Sequence, residues 1–210
     1  MSARADILAA IRANKPGFSG PAPDIPNHDD GYPCDAADLR ALFVGAMEQM
    51  GGAWVEPASD ETLTATVHRA LGDRLDAGSC IASNIAEIPG DRRVCEADTS
   101  ASLNDVDVAL LRARFGVAET GSVCFTEHEL VVNAVAYLAQ HLVVLLDPSE
   151  IVTNLHRAYQ RDDYKTARYT VFHTGPSATA DIEGVLVRGA QGVRSLTVIP
   201  AVDQAPTPGG

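Results

Sequence analysis

Strand-like apolar runs alternate with amphipathic helical stretches along most of this chain, and that alternation constrains its fold more than any other feature. Strands that alternate with helices are typical of an α/β domain, whose mostly parallel sheet is covered by helices on both faces. The sequence therefore predicts an open, mostly parallel α/β sheet. The strands are expected in residues 53–55, 79–83, 107–112, 117–126, 141–146, 167–173, 185–187 and 196–199.

Three of the helices are predicted with defined ends. An apolar stripe in residues 35–50 predicts the first of them. Ser59 fits the N-cap of a second helix that runs to about residue 75. Residues 147–150 read Asp-Pro-Ser-Glu, a capping-box arrangement with proline at the first helical position, and they predict the start of a third helix.

The chain divides into an arm, a domain and a tail. Residues 1–34 hold a short amphipathic helix and then a linker rich in Gly and Pro, and the surface on which this arm packs, which another subunit could provide, is left open. Residues 35–200 are expected to form the α/β domain. Residues 201–210, again rich in Pro and Gly, are expected to be a flexible tail.

The chain is acidic, with 28 Asp and Glu residues against 16 Lys and Arg residues and a net charge of −12. A nucleic-acid binder needs a basic face for phosphates, and an anionic membrane surface also attracts basic segments. The apolar stretch 130–146 contains polar residues and is too short to span a bilayer, and the first residues do not resemble a signal sequence. We therefore expect a cytoplasmic protein that binds neither nucleic acid nor a membrane.

Sequence signatures of metal and cofactor sites are absent from the 210 residues. Zinc and iron–sulfur sites usually show Cys-x2-Cys spacing, but the four cysteines here are far apart in the sequence. The sequence also lacks the Gly-x-Gly-x-x-Gly fingerprint, the phosphate-binding loop and the nucleophile elbow. We therefore expect this chain itself to bind no metal ion and no redox cofactor.

The densest candidate site runs from Gly175 to Glu183, directly after the strand-like run 167–173. Proline lacks the N–H that a sheet requires, so Gly175-Pro176 is expected to turn the chain at the end of that strand. In open α/β sheets, ligands usually bind at the carboxyl ends of the strands. Small polar groups of this segment are therefore expected to converge on a ligand.

Four side chains of this segment carry candidate chemistry. Ser177 and Thr179 are expected to hold an anionic group together with backbone amides. Asp181 and Glu183 are candidate acid and base groups, or hydrogen-bond acceptors for a ligand. The alternative is a turn whose hydroxyls cap backbone groups while its carboxylates are solvated. His173, just before the segment, fits a packed histidine better than a catalytic one.

A second candidate site is formed by four consecutive residues, Glu119, Thr120, Gly121 and Ser122, between two apolar strand-like pieces. A carboxylate in such a place is costly unless it is paired or belongs to a site, so Glu119 is a candidate nucleophile or base. Gly121 would let a ligand or another backbone segment approach closely. The alternative is a bulge or turn between two strands, with Glu119 on the solvent face.

These two segments, together with Gly189 and Gly192 before the last strand, resemble the LUD domain of the LutC/YkgG family of lactate-utilisation proteins. The resemblance covers roughly residues 35–200. Family members often read Gly-Val-His-Gly-Pro where this chain has residues 189–193, so Gln191 replaces the histidine. An amide can still form hydrogen bonds there, but it cannot titrate.

The resemblance implies a fold similar to the NagB/RpiA/CoA-transferase group and membership of a three-component system that oxidises L-lactate to pyruvate. A cofactor must accept the electrons of that oxidation. The chain is therefore expected to be an accessory subunit, with iron–sulfur clusters on partner subunits. Its small ligand is expected in a pocket between the Glu119 and Ser177 loops. The alternative is a self-contained enzyme or a binding protein for a small acyl, phosphate or CoA-like ligand.

Overall fold

The computed structural model describes residues 3–15, 17, 20, 21, 26, 28–180 and 183–201 of the chain. The α-helices of this part are α1 (Ala3–Ala13), α2 (Ala36–Gln49), α3 (Leu63–Leu71), α4 (Glu127–Leu130), α5 (Val135–Leu138), α6 (Leu155–Gln160) and α7 (Asp162–Thr166). The strands are β1 (Ala53–Trp54), β2 (Ile81–Ser83), β3 (Val108–Arg112), β4 (Phe115–Val117), β5 (Ser122–Thr126), β6 (His141–Leu146), β7 (Ile151–Val152), β8 (Thr170–His173), β9 (Ala178–Thr179), β10 (Val187–Arg188) and β11 (Ser195–Pro200). None of the helices described is long and apolar enough to cross a lipid bilayer.

Five strands form a parallel sheet in the order β1-β11-β6-β3-β2, which confirms the predicted α/β class. Consecutive side chains of a strand point to opposite faces of a sheet, and both faces are buried here. Leu142 and Val144 of β6 belong to one core cluster, whereas Val143 and Leu145 belong to another. Helix α2 packs in the first cluster and α3 in the second, so helices cover both faces as predicted.

A second sheet, in the order β7-β4-β5-β8, packs in the same core cluster as α2. The prediction of residues 117–126 as one strand was wrong, and the alternative, a turn between two strands, is what the structure has. The chain reverses between β4 and β5, which pair antiparallel, and Gly121 in this turn has a φ of +64° that favours glycine. Strand β8 then pairs antiparallel with the other side of β5.

The helix predicted to begin at Ser59 begins later and ends earlier than expected. The side-chain oxygen of Thr62 accepts a hydrogen bond from the backbone N–H of Ala65 at 3.2 Å, so Thr62 is the N-cap of α3. Gly72, with a φ of +50°, follows the last residue of that helix. Glycine adopts a positive φ easily, because it has no Cβ to strain.

Residues 147–150, predicted as a capping box, do not begin the predicted long helix. They begin only a 3-10 turn, Pro148–Glu150, in which the Asp147 side chain accepts a hydrogen bond from the Ser149 N–H. The next two residues form β7, in which the buried Ile151 pairs with β4. Helix α6 needs a separate cap, which is the Asn154 side chain. Ile151 and Val152 therefore form an edge strand of the second sheet, in which β-branched side chains pack well.

Residues 185–187, predicted as a strand of the main sheet, contribute instead to a small separate hairpin. Val187 pairs with Thr179 in the antiparallel strands β9 and β10. Glu183 and Gly184 between them have φ values of +54° and +71°. Positive φ angles help the chain to reverse direction, so residue 187 pairs with the nearby β9 rather than with the main sheet.

The carboxyl end of the arm packs on its own domain. The rings of His28 and His156 stack with centroids 3.5 Å apart, and Asp29 forms an ion pair with Arg157 of α6. Helix α1, in contrast, has no buried residue. One packing surface of the arm is therefore the helix that follows β7.

Candidate functional site

The two predicted loops lie side by side at one end of the second sheet. Because β5 and β8 are antiparallel, the start of β5 lies beside the end of β8. The Ser122 hydroxyl is hydrogen-bonded to the Thr174 hydroxyl at 2.5 Å and to the Thr120 hydroxyl at 2.6 Å. A chain of three hydroxyls therefore joins the 119–122 turn to the loop that begins at residue 174.

Helix α2 positions both loops through close backbone contacts. A Cβ on Gly121 would lie 2.1 Å from the backbone nitrogen of Met47, and one on Gly175 would lie 2.5 Å from the carbonyl oxygen of Met50. Both glycines also have positive φ, +64° and +76°. Gly121 is thus required for the approach of another backbone segment, which was one of the two interpretations of this residue.

A cavity of about 220 Å³ opens beside the second loop. We call it the His173 cavity, and it is lined by residues 136, 137, 171–177 and 191–193. The Ser177 N–H donates to the Val193 carbonyl at 2.9 Å, and the Gly189 N–H donates to the Ser177 carbonyl at 2.7 Å. These backbone bonds hold the 174–177 loop and the 189–193 segment together, so two stretches of the predicted motif form one wall.

His173 is buried in the wall of this cavity, with 9% of its surface exposed. Its ring lies against Phe125 and Tyr137, with centroid distances of 5.7 and 5.1 Å. Burial lowers the pKa of His173 to about 4, and its Nε2 atom has no hydrogen-bond partner among the described residues. The imidazole is therefore neutral at pH 7.

Tyr137 of α5 lines the cavity next to His173. Its hydroxyl is hydrogen-bonded to the Tyr169 hydroxyl at 2.7 Å. Burial and this hydrogen bond raise the pKa of Tyr137 above its usual value. His173 and Tyr137, the titratable side chains of the cavity wall, are consequently uncharged at neutral pH. They can form hydrogen bonds with a ligand without being ionised.

Glu119 is exposed in the turn between β4 and β5, as the alternative interpretation of this segment had it. Its carboxylate accepts a hydrogen bond from the backbone N–H of Leu155 at 3.0 Å, at the first residue of α6. It also accepts from the Tyr32 hydroxyl, and together with burial this bond raises the pKa of that phenol. Glu119 is not among the residues that line the cavity. Its role here is to hold α6 and the arm, and a catalytic role stays a prediction.

The other predicted site residues fall into three groups. Gly175, Pro176 and Ser177 line the cavity. Thr120, Gly121 and Ser122 are not among the lining residues, and the Ser122 hydroxyl contacts Thr174, which is one of them. Thr179 lies in β9 and Glu183 in the hairpin turn, and neither contributes to the lining. Asp181 lies outside the described residues.

Sequence reasoning missed part of the cavity wall. Tyr137 gave no signal, because it lies in a short helix 36 residues before His173 in the chain. Thr174 could have been noticed as the first residue after the predicted strand. Gln191, noted as a departure from the family pattern, lines the cavity. Within the described ranges, no group of three His, Cys, Asp or Glu side chains is placed to hold a metal ion.

Comparison with known proteins places these features in a family. A family model for the LUD domain matches residues 43–199. A crystal structure of a DUF162 family protein from Deinococcus radiodurans superposes with a TM-score of 0.59 at 16% sequence identity, covering 80% of this chain and 99% of that one, and at this identity the likeness concerns the fold alone. A search of curated proteins found no match. The chain belongs to the LUD domain family, as the resemblance of its motifs predicted.

Proposed function

We propose that this chain is an accessory protein of a multi-component, cytoplasmic system that oxidises L-lactate to pyruvate, and that it binds a small ligand in the His173 cavity. The observation that carries the proposal is the LUD family match over residues 43–199, since this family is associated with lactate utilisation. Electrons leaving lactate need an acceptor, which we assign to iron–sulfur clusters of partner subunits.

The His173 cavity supports the ligand-binding part of the proposal. Ligand pockets combine an apolar lining with a few convergent polar groups, and they are largely formed before the ligand arrives. The cavity has this composition, because its lining includes the apolar residues Ala136, Val171 and Val193 together with Ser177. Backbone hydrogen bonds and the α2 contacts hold its loops in place without a ligand.

The accessory role is tested by purification of the tagged chain from cells that express it together with iron–sulfur proteins of lactate oxidation. We expect the partner to co-purify and lactate oxidation to require both proteins. The proposal is contradicted if the purified chain oxidises lactate without a partner or an added cofactor, or if no iron–sulfur protein associates with it under conditions in which lactate supports growth.

The alternative, a self-contained enzyme that uses Glu119 as nucleophile or base, is weaker because that carboxylate is bonded to Leu155 and Tyr32. The variant Glu119→Gln separates the two proposals. An accessory protein should keep its ligand affinity in this variant, with some loss of stability from the weakened contact to α6. Loss of a measurable turnover with unchanged folding would favour the enzyme.

A further inference from the structure

We propose that the His173 cavity takes an uncharged ligand, or the uncharged end of a larger one, and discriminates against carboxylates and phosphates. Suitable groups are carboxamides, ketones and thioesters, which accept or donate hydrogen bonds without a formal charge. This inference rests on the proposed function, because it takes the cavity to be the ligand site. It departs from the sequence-based expectation that Ser177 and Thr179 hold an anion.

The first argument is the absence of a cation from the cavity wall. All 16 Lys and Arg residues of the chain lie within its described part, and none of them lines the cavity. The lining also contains no Asp or Glu. A carboxylate that leaves water needs a paired cation or several strong donors, and burial without them is costly.

The second argument concerns the two arginines nearest in sequence to the lining segment 191–193. The guanidinium of Arg188 lies over Gly51, where an added Cβ would come within 2.1 Å of its Nη1 atom. The side chain of Arg194 packs beside Gly189, with its Cγ 2.7 Å from the position of an added Cβ. Both side chains thus pack against glycines outside the cavity wall.

The third argument is that the polar groups of the wall are neutral. His173 and Tyr137 are uncharged at pH 7 for the reasons given above, and burial is the cause that lowers the pKa of His173, with no charged neighbour contributing. The remaining polar side chains are those of Thr174, Ser177 and Gln191. Hydroxyls and an amide both donate and accept, which suits an uncharged partner such as a carboxamide.

Lactate and pyruvate are anions at neutral pH, so their carboxylates are poor ligands for this cavity. The net charge of −12 adds a general repulsion of anions. If the chain serves lactate oxidation, its ligand is therefore a different, uncharged molecule or group. Among the ligand classes raised by the fold resemblance, an acyl thioester fits the wall better than a phosphate does.

The test compares ligands of nearly the same shape, of which one is uncharged and the other is an anion: lactamide with lactate, and acetamide with acetate. Binding to the full chain at pH 7 is measured by calorimetry and by the shifts of the His173 and Tyr137 ring signals in NMR spectra. We expect each amide to bind at least about tenfold more tightly than its carboxylate. Equal or tighter binding of the carboxylates overturns the inference. So does the failure of both amides to shift the ring signals.

A cation placed at the rim provides a second, independent test. Gln191 is exposed and lines the cavity, so Gln191→Arg should be tolerated and should shift the preference toward lactate by about fivefold. Ala190→Arg is the matched control, since it adds the same charge at an exposed neighbouring position outside the lining. An equal shift in both variants, or none in Gln191→Arg, counts against the inference.

Failure of this inference can be distinguished from failure of the proposed function. Co-purification with an iron–sulfur partner does not depend on the charge of the ligand, and ligand preference is measured on the chain alone. Amide preference without a partner would overturn the accessory role and keep the inference. Co-purification of a partner, together with tighter binding of carboxylates, would keep the accessory role and overturn the inference.

Discussion

The cavity at the carboxyl edge of the parallel sheet is lined by charged side chains, whereas the His173 cavity is lined by uncharged ones. At the sheet edge, a cavity of about 180 Å³ is lined by three arginines and three acidic residues, and each arginine is paired with a carboxylate. The pairs are Arg112 with Glu87 at 2.7 Å, Arg114 with Asp163 at 2.9 Å and Arg161 with Glu150 at 2.8 Å. The His173 cavity contains no charged residue at all.

This difference indicates which of the two cavities can accept a ligand. The carboxyl edge is the usual ligand site of open α/β sheets. Here its arginines already satisfy carboxylates of the same chain, so a ligand anion would have to displace them. The candidate site lies instead at the end of the second sheet, where polar groups are neutral and Nε2 of His173 has no partner among the described residues.

The largest effect is expected at the turn that supports the cavity. Gly121→Ala should destabilise the protein by about 3 kcal/mol or more, because the new Cβ would meet the Met47 backbone and φ is positive. Chemical denaturation measures the change in the free energy of unfolding. The control is Gly45→Ala, at an exposed position inside α2 with open space around it, which should stabilise by about 0.5–1 kcal/mol. Similar values for the two variants would contradict the α2 contact.

We expect Arg161 to contribute to stability at the charged edge of the parallel sheet. This side chain pairs with Glu150 and Asp163 and lies over the Phe115 ring at 4.7 Å. Arg161→Met should cost about 2 kcal/mol of unfolding free energy, because it leaves the mostly buried Asp163 carboxylate with less compensation. The exposed pair Lys165–Asp162 offers a control, and Lys165→Met should change stability by less than about 0.5 kcal/mol. Equal costs would mean that the ion pairs at the edge are no stronger than surface pairs.

The neutral state of His173 predicts a pH dependence of stability. The pKa of His173 in the folded protein is about 4, below the ordinary value of 6.5. Between these two pH values, the unfolded chain binds a proton at this residue that the folded chain does not bind. Stability is therefore lost as pH falls through this window, by about 2 kcal/mol between about pH 7.5 and pH 5.

The comparison that isolates this loss is His173→Phe, which keeps an aromatic ring and removes the titration. Its stability should fall less than that of the wild type over the same pH range. His141, whose pKa is also lowered by burial, contributes equally to both proteins and cancels in the difference. Parallel pH profiles would show that His173 is not buried in its neutral form.

The smallest effect is expected from the hydroxyl chain between the two loops. Ser122→Ala removes the hydroxyl that joins Thr120 to Thr174, and should cost about 1 kcal/mol because Ser122 is buried. Ser59→Ala, at an exposed serine in a surface turn, should leave stability nearly unchanged. A negligible cost at Ser122 would mean that the loops are held by the α2 contacts alone.

Local patterns predicted a large part of this molecule. The alternation of strands and helices predicted the parallel sheet, and the apolar stripe of residues 35–50 predicted α2. The Gly175-Pro176 turn was also predicted, and its residues line the cavity. These features depend on neighbours within a few residues, such as the caps, glycines and apolar spacing that a linear pattern records.

Features that depend on distant residues were not predicted. Glu119 reads as a candidate catalytic group because a carboxylate between apolar segments is costly, yet its partners Leu155 and Tyr32 are far along the chain in both directions. A turn at Gly121 was one of two interpretations, but the α2 backbone that lies against this turn was not predicted. Hydrogen bonds between distant residues leave no periodic trace in the sequence.

The sequence by itself determined the α/β class, the family motifs and the glycines at which the chain must turn, because propensities and backbone sterics act over short distances. Only the tertiary structure decided that the second sheet brings the two loops together, that Glu119 serves the packing of α6, and that the cavity wall has no charge. The physical reason is that burial and charge pairing are properties of a site, assembled from segments whose separation along the chain does not indicate their distance in space.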